Sequence, residues 1–89
     1  MKTILFYWSK GAETRRAIIR FVAASESSGK PSYLNTIAEK LKVSHVAAKK
    51  HVDLLTEEGY LKVQNPGGKP VFLLLGPKGK EVLREIGSK

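Results

Sequence analysis

Residues 60–76 limit what this chain can fold into more than any other stretch. Two short β-rich runs, Tyr60–Gln64 and Val71–Leu75, flank Asn65-Pro66-Gly67-Gly68-Lys69-Pro70. Prolines and paired glycines in the spacer exclude a helix, and the apolar runs on either side read as strands, so the segment is a hairpin. Gly59 in front of it suits the position just past a helix end. Gly76-Pro77 behind it stops the second strand, and proline fits the first turn of a final helix. Val82, Leu83 and Ile86 give that last helix its apolar side.

Three helical patterns precede the hairpin. From Gly11 to about Ser28, Ile18, Ile19 and Val22 fall on one side at about 100° per residue, with Phe21 at its edge and Arg16 and Arg20 on the other. Ser25–Pro31 is a loop by composition. Ser32 offers an N-cap to a second helix reaching about Lys42, whose Leu34, Ile37, Ala38 and Leu41 are spaced to pack inward. Ser44 then caps a third helix from His45 to about Glu58. At the start of the chain, residues 3–8 (TILFYW) are apolar on both faces and rich in β-branched and aromatic side chains. They read as a short strand or extended arm, with Ile4, Phe6 and Trp8 on one side and Leu5 and Tyr7 on the other. Left uncovered, such a segment is an aggregation hazard, so something must cover it.

The order arm, helix, helix, helix, hairpin, helix predicts an α+β, mainly α, winged helix-turn-helix domain over residues 11–89, with residues 1–10 as an N-terminal arm. In that arrangement the third helix enters a DNA major groove and the hairpin wing reaches the flanking backbone. Eighty-nine residues make one domain, too short for a catalytic domain beside a recognition domain. Sixteen Lys and Arg against eight Asp and Glu leave a net charge of +8. A surface of that sign attracts nucleic acid, anionic membrane or acidic proteins, and charge alone does not choose among them. No apolar run reaches the length of a signal peptide or a transmembrane span, so a cytoplasmic protein without a membrane partner is expected.

Chemistry is expected to be absent. The chain has no cysteine, which removes disulfides, zinc ribbons and thiol nucleophiles. His45 and His51 are six residues apart, about 120° from each other around a helix, so they do not form a metal site. Gly76-Pro77-Lys78-Gly79-Lys80 lacks the spacing and the following Ser or Thr of a phosphate loop. Scattered serines without a positioned base make no nucleophile. Neither an enzyme nor a bound cofactor is expected, and nothing in the sequence identifies a small-molecule effector.

The third helix divides into two sides. Ala47, Ala48, His51, Val52, Leu54 and Leu55 form a broad inward arc, while His45, Val46, Lys49, Lys50, Asp53, Thr56 and Glu57 face out. Outward basic residues lie in the first half and acidic ones in the second, as suits a helix entering a groove by its N-terminal end. Lys49 and Lys50 would meet phosphates or guanine edges, and Val46 suits a thymine methyl. Ser44 and the first backbone amides would add phosphate contacts. Lys62 and Lys69 flank a glycine tip able to approach the backbone. The plainer alternative is a solvated helix face with a routine Lys49–Asp53 pair and a hairpin made soluble by lysines.

From Gly11 onward the chain resembles the MarR-like and ArsR-like winged helix regulators. Glu13–Ile19 (ETRRAII) is similar to the family's "TRRAIL" run, and Leu34–Ser44 (LNTIAEKLKVS) to its "LAEKLGVS" helix and turn. Ala48–Leu61 (AKKHVDLLTEEGYL) is similar to "VSKHLKRLEEAGLV", and Gly76-Pro77-Lys78-Gly79 to the "T-x-x-G" that opens the last helix. A weaker likeness is to small winged helix proteins of hyperthermophilic archaea and their viruses. The resemblance implies a homodimer with its third helices in successive major grooves. Groove-facing residues would be Ser44, His45, Val46, Lys49 and Lys50, with Lys62 and Lys69 on the wing. Lys42 departs from the family pattern, which often has Gly there, and the lack of cysteine speaks against the metal sensing of many ArsR-like proteins. The function expected is sequence-specific binding of double-stranded DNA for transcription regulation. A low-specificity architectural DNA-binding protein and a winged helix that binds only protein are the alternatives.

Overall fold

The computed structural model describes residues 4–7, 10–68 and 71–86. In chain order they form α1 (Ile4–Tyr7), α2 (Ala12–Ser27), β1 (Ser32–Tyr33), α3 (Leu34–Leu41), α4 (His45–Glu57), β2 (Leu61–Val63), β3 (Phe72–Leu75) and α5 (Pro77–Ile86). This is an α+β winged helix: a helical layer with a small antiparallel sheet of order β1-β3-β2. No helix among the described residues is long and apolar enough to cross a membrane.

The α2 pattern holds as expected, with Ile18, Ile19 and Val22 fully buried. Leu34, Ile37 and Ala38 of α3 and Ala48, Val52 and Leu55 of α4 join them in one core. The turn between α3 and α4 closes at Lys42, whose φ of 57° is left-handed, the only positive φ at a non-glycine residue among those described. Lys42 N donates to Glu39 O at 3.2 Å and Val43 N to Ala38 O at 3.1 Å, satisfying carbonyls that the helix end leaves open. Ser44 caps α4 by accepting from Ala47 N at 3.0 Å. At the far end Gly59 takes φ 89°, Gly59 N donates to Thr56 O at 3.1 Å and Tyr60 N to Leu55 O at 2.8 Å. This paired closure turns the chain into the wing, and it needs the backbone freedom of glycine.

Ser32 is not the N-cap of α3. It lies in β1, opposite Leu73, and Tyr33 occupies the cap position without a side-chain bond. Pairing with β3 outweighs the capping preference of a serine, and it leaves the Ser32 Oγ buried without a partner. Two residues are too few for an alternating pattern, which is why the third strand is silent in the sequence. Beyond β1, the Glu26 carboxylate continues the edge by accepting from Leu75 N at 2.6 Å.

The hairpin pairs Leu61 with Leu75, Lys62 with Leu74 and Val63 with Leu73. In its turn, Asn65 Oδ1 accepts from Phe72 N at 2.9 Å and Gly68 N donates to Asn65 O at 2.7 Å. The wing is tied to α5 at Gly79, where an added Cβ would lie 2.1 Å from the Tyr60 carbonyl oxygen. Only a residue without a side chain allows that approach, which explains the glycine two places after Pro77. Arg20 Nη2 donates to Ile86 O at 2.9 Å and so closes the other end of α5.

The N-terminal reading needs correction. Residues 4–7 are a helical turn, not a strand or extended arm. Phe6 is fully buried in this chain's own core, edge-on to Tyr60 with ring centroids 4.9 Å apart. Arg16 Nη1 donates to the Phe6 carbonyl oxygen, and its guanidinium lies 5.5 Å from the Tyr7 ring centroid. Strand propensity loses here because a single large side chain in the core contributes more than local preference over four residues. With a helical backbone, the alternation that grouped Ile4 and Phe6 with Trp8 no longer applies. Trp8 itself lies outside the described residues.

Candidate nucleic-acid interface

The outer side of α4 begins at its cap. Ser44, His45, Val46, Lys49 and Lys50 are all exposed. Val46 is 68% exposed, the only large hydrophobic residue so placed among those described. Exposing an isopropyl group costs hydration free energy, and the rest of the described chain avoids it. His45 Nε2 is 3.0 Å from Asn35 Oδ1, so the first residue of α4 is tied back to α3. Lys49 Nζ is 2.9 Å from Asp53 Oδ2, with both side chains mostly exposed. The i,i+4 pair weighed in the sequence therefore forms, and an exposed pair of this kind contributes only about 0.3–0.5 kcal/mol. Lys50, next to it, carries an exposed charge.

Lys62 is exposed on β2, in the wing beyond α4. Lys69 lies outside the described residues. Thus five of the seven residues singled out from the sequence form one continuous strip at the start of α4, and a sixth stands on the wing.

The inner side of α4 holds an arrangement the sequence reading missed. Arg15 is only 5% exposed on α2. Its Nη1 is 3.1 Å from His51 Nδ1 and its Nη2 donates to Lys10 O at 2.9 Å. A guanidinium has only hydrogens to offer, so His51 Nδ1 accepts with its lone pair and the ring hydrogen sits on Nε2. Burial, and secondly the positive charge of Arg15, hold the His51 pKa below the usual histidine value. Burial likewise lowers that of Arg15. The signal was present: Arg15 precedes Ile18 and Ile19 by three and four residues, on the buried face of α2. The helical reading of α2 placed Arg16 and Arg20 outward and gave Arg15 no side. His51 itself is half-buried, as a packing residue would be. Among the described residues no group of three or more histidine or acidic side chains is placed to hold a metal ion.

No protein-family model matches the sequence, and no curated protein is close to it in sequence. Solved structures are similar in fold. The Archaeoglobus fulgidus protein AF1382 superposes with a TM-score of 0.75 at 18% identity, over 94% of this chain and 89% of that one. At that identity the likeness speaks for the fold alone. A zinc-responsive MarR family member, ZitR of Lactococcus lactis, superposes with a TM-score of 0.68 at 27% identity, over 89% of this chain and 53% of its own. An apo double mutant of ZitR gives a TM-score of 0.65 at 30% identity, over 83% of this chain and 54% of its own. The chain spans about half the length of ZitR. Its structural neighbours thus include a MarR family member, and the winged helix is the part they have in common.

Proposed function

We propose that this chain is a sequence-specific, double-stranded DNA-binding transcription regulator that places α4 in a major groove and its wing on the flanking backbone. The observation that carries the reading is Val46, exposed on the outer side of α4 beside Lys49 and Lys50. An apolar group set among cations suits a thymine methyl approached between phosphates. In this reading Lys49 and Lys50 meet phosphates or guanine edges, His45 and Val46 meet bases, and Ser44 sits at the helix end that faces a phosphate. Lys62 and Lys69 hold the wing to the backbone. The net charge of +8 and the similarity to a MarR family regulator support it. A cytoplasmic place of action belongs to the same reading.

The same reading includes a homodimer, whose two α4 helices would sit about 34 Å apart in successive grooves. A small chain gains core and DNA contacts by pairing. With Phe6 buried inside its own subunit, deletion of the N-terminus would remove core and so could not test pairing by itself. Sedimentation equilibrium of the intact chain is therefore the test of pairing, and a monomer that binds half-sites as tightly as full sites overturns it. Selection of genomic fragments by the purified chain, followed by titration against selected and random duplexes at several salt concentrations, tests the function. Strong preference for a short motif, with affinity falling steeply with salt, is the expected result. Equal affinity for all duplexes would leave an architectural protein, and no salt-dependent DNA binding would leave a protein-interaction module.

A further inference from the structure

His45 and Asn35 are both exposed, yet they are bonded to each other across the turn between α3 and α4. The amide oxygen of Asn35 carries no hydrogen, so His45 Nε2 is the donor in this 3.0 Å contact. The neutral ring then has its lone pair on Nδ1, the nitrogen that the bond leaves free. Both helices are also held by the common core, in which Ile37 and Ala38 of α3 and Ala48 of α4 are buried. What the bond does is choose one of two tautomers and stop the ring from turning. Without it, acceptor and donor forms would interchange at the same place in space.

We propose that Asn35 is a positioning residue for base reading: by holding His45 Nε2–H, it presents His45 Nδ1 as a fixed acceptor for the exocyclic amino group of an adenine or a cytosine. In the major groove those two bases offer N6–H₂ and N4–H₂ donors, while guanine O6 and N7 and thymine O4 offer only acceptors. A fixed acceptor therefore selects amino-bearing bases at one position, next to the one met by Val46. The inference rests on the reading of α4 as the groove-facing helix. Sequence alone did not single out Asn35, because its partner is ten residues away across a turn.

The test is a binding titration of the intact chain against a selected duplex and its single-base variants. His45→Ala identifies the base pair in question as the one where discrimination relaxes. Wild type should favour adenine or cytosine there by about fivefold, the worth of one modest hydrogen bond. Asn35→Ala should relax preference at that same base pair, and the double variant should relax it no further. Asn35→Asp sets a carboxylate beside His45 Nε2, which favours the doubly protonated ring; Nδ1 then becomes a donor, and the preference for adenine or cytosine should be lost. Both residues are exposed, so the variants should fold, which thermal melting verifies. If Asn35→Ala weakens all duplexes equally, Asn35 touches only phosphate and the proposal fails. It fails too if wild type favours guanine or thymine at the His45 position, or if Asn35→Ala relaxes a different base pair. A wild-type chain that binds no DNA at any salt removes the underlying DNA reading instead, before any variant is compared.

Discussion

On one side of α4, Ala48, Val52 and Leu55 are closed into the core; on the other, Val46, Lys49 and Lys50 stand in solvent. Both sides belong to one thirteen-residue helix with one cap, so local helix preference is the same for both. The difference lies in what each side chain touches. Inward residues are fixed by packing, where removing a methylene leaves a gap that nothing fills. Outward residues touch little within the subunit, so their identities are free to serve something outside it. Changes on the inner side should therefore move stability and leave the chemistry of binding intact, and changes on the outer side should do the reverse.

The largest effect belongs to the inner side. Leu55 is fully buried, and its carbonyl accepts from Tyr60 N at 2.8 Å in the closure at Gly59. Leu55→Ala should cost about 2–5 kcal/mol of folding stability, read from urea unfolding. The folded fraction should bind DNA with the salt dependence of wild type. A loss below about 1 kcal/mol would mean that this side of the helix is not closed by packing.

Next comes the outer side. Lys49→Ala with Lys50→Ala should reduce the slope of log affinity against log salt by about one for each phosphate no longer neutralised, with the melting temperature nearly unchanged. Because Lys49 is paired with Asp53, the pair sharpens the comparison further. Asp53→Asn frees Lys49 and removes a negative charge from the outer side of α4, so it should tighten binding. Unaltered affinity and slope in the lysine variant would detach α4 from DNA.

Also on the inner side is half-buried His51, facing Arg15 at 3.1 Å. Its pKa in the folded chain lies below the ordinary value of 6.5. The unfolded chain therefore binds the proton more readily, and stability rises with pH in that window. The contribution is fully present above about pH 6.5 and declines as pH falls toward the lowered folded value. Melting temperature should fall between pH 7 and pH 5, and His51→Gln, which keeps an acceptor for Arg15, should fall less. Equal pH profiles for the two proteins would show that the Arg15–His51 contact does not couple protons to folding.

The sequence revealed α4 and the hairpin for a shared physical reason: each is long enough, or punctuated strongly enough, for its pattern to decide the structure. Ser44 and Gly59 mark both ends of α4, and Pro66 with Gly67 and Gly68 marks the turn. Residues 4–7 and β1 each span only about one period of their own pattern, too little to decide it, and their conformation depends on Phe6 meeting Tyr60 and on Ser32 meeting Leu73. The spacing of Arg15 to Ile18 and Ile19 placed it on the apolar face, but its partners, His51 and the Lys10 carbonyl, come beside it only in the fold. In the proposed interface, the strip Ser44–Lys50 was legible from helical spacing, whereas the Asn35 contact with His45 required the angle between two helices.

The smallest expected effect concerns the turn that fixes that angle. Lys42 holds a φ of 57°, where a side chain suffers steric strain that glycine escapes. Lys42→Gly removes that strain but adds freedom to the unfolded chain, and the two partly cancel, leaving a gain of about 0.5–1 kcal/mol. For a chain of this size the melting temperature should rise by about 4 °C. The same variant also probes the division between the sides of α4, because Lys42 is exposed and close in sequence to the cap at Ser44. If Lys42 serves only as a helix stop, DNA affinity and its salt slope stay as in wild type while stability rises. If affinity falls and the slope drops by about one, Lys42 itself touches a phosphate. The outer surface would then extend past the start of α4 into the turn, and a lysine would be worth keeping there despite its strained backbone.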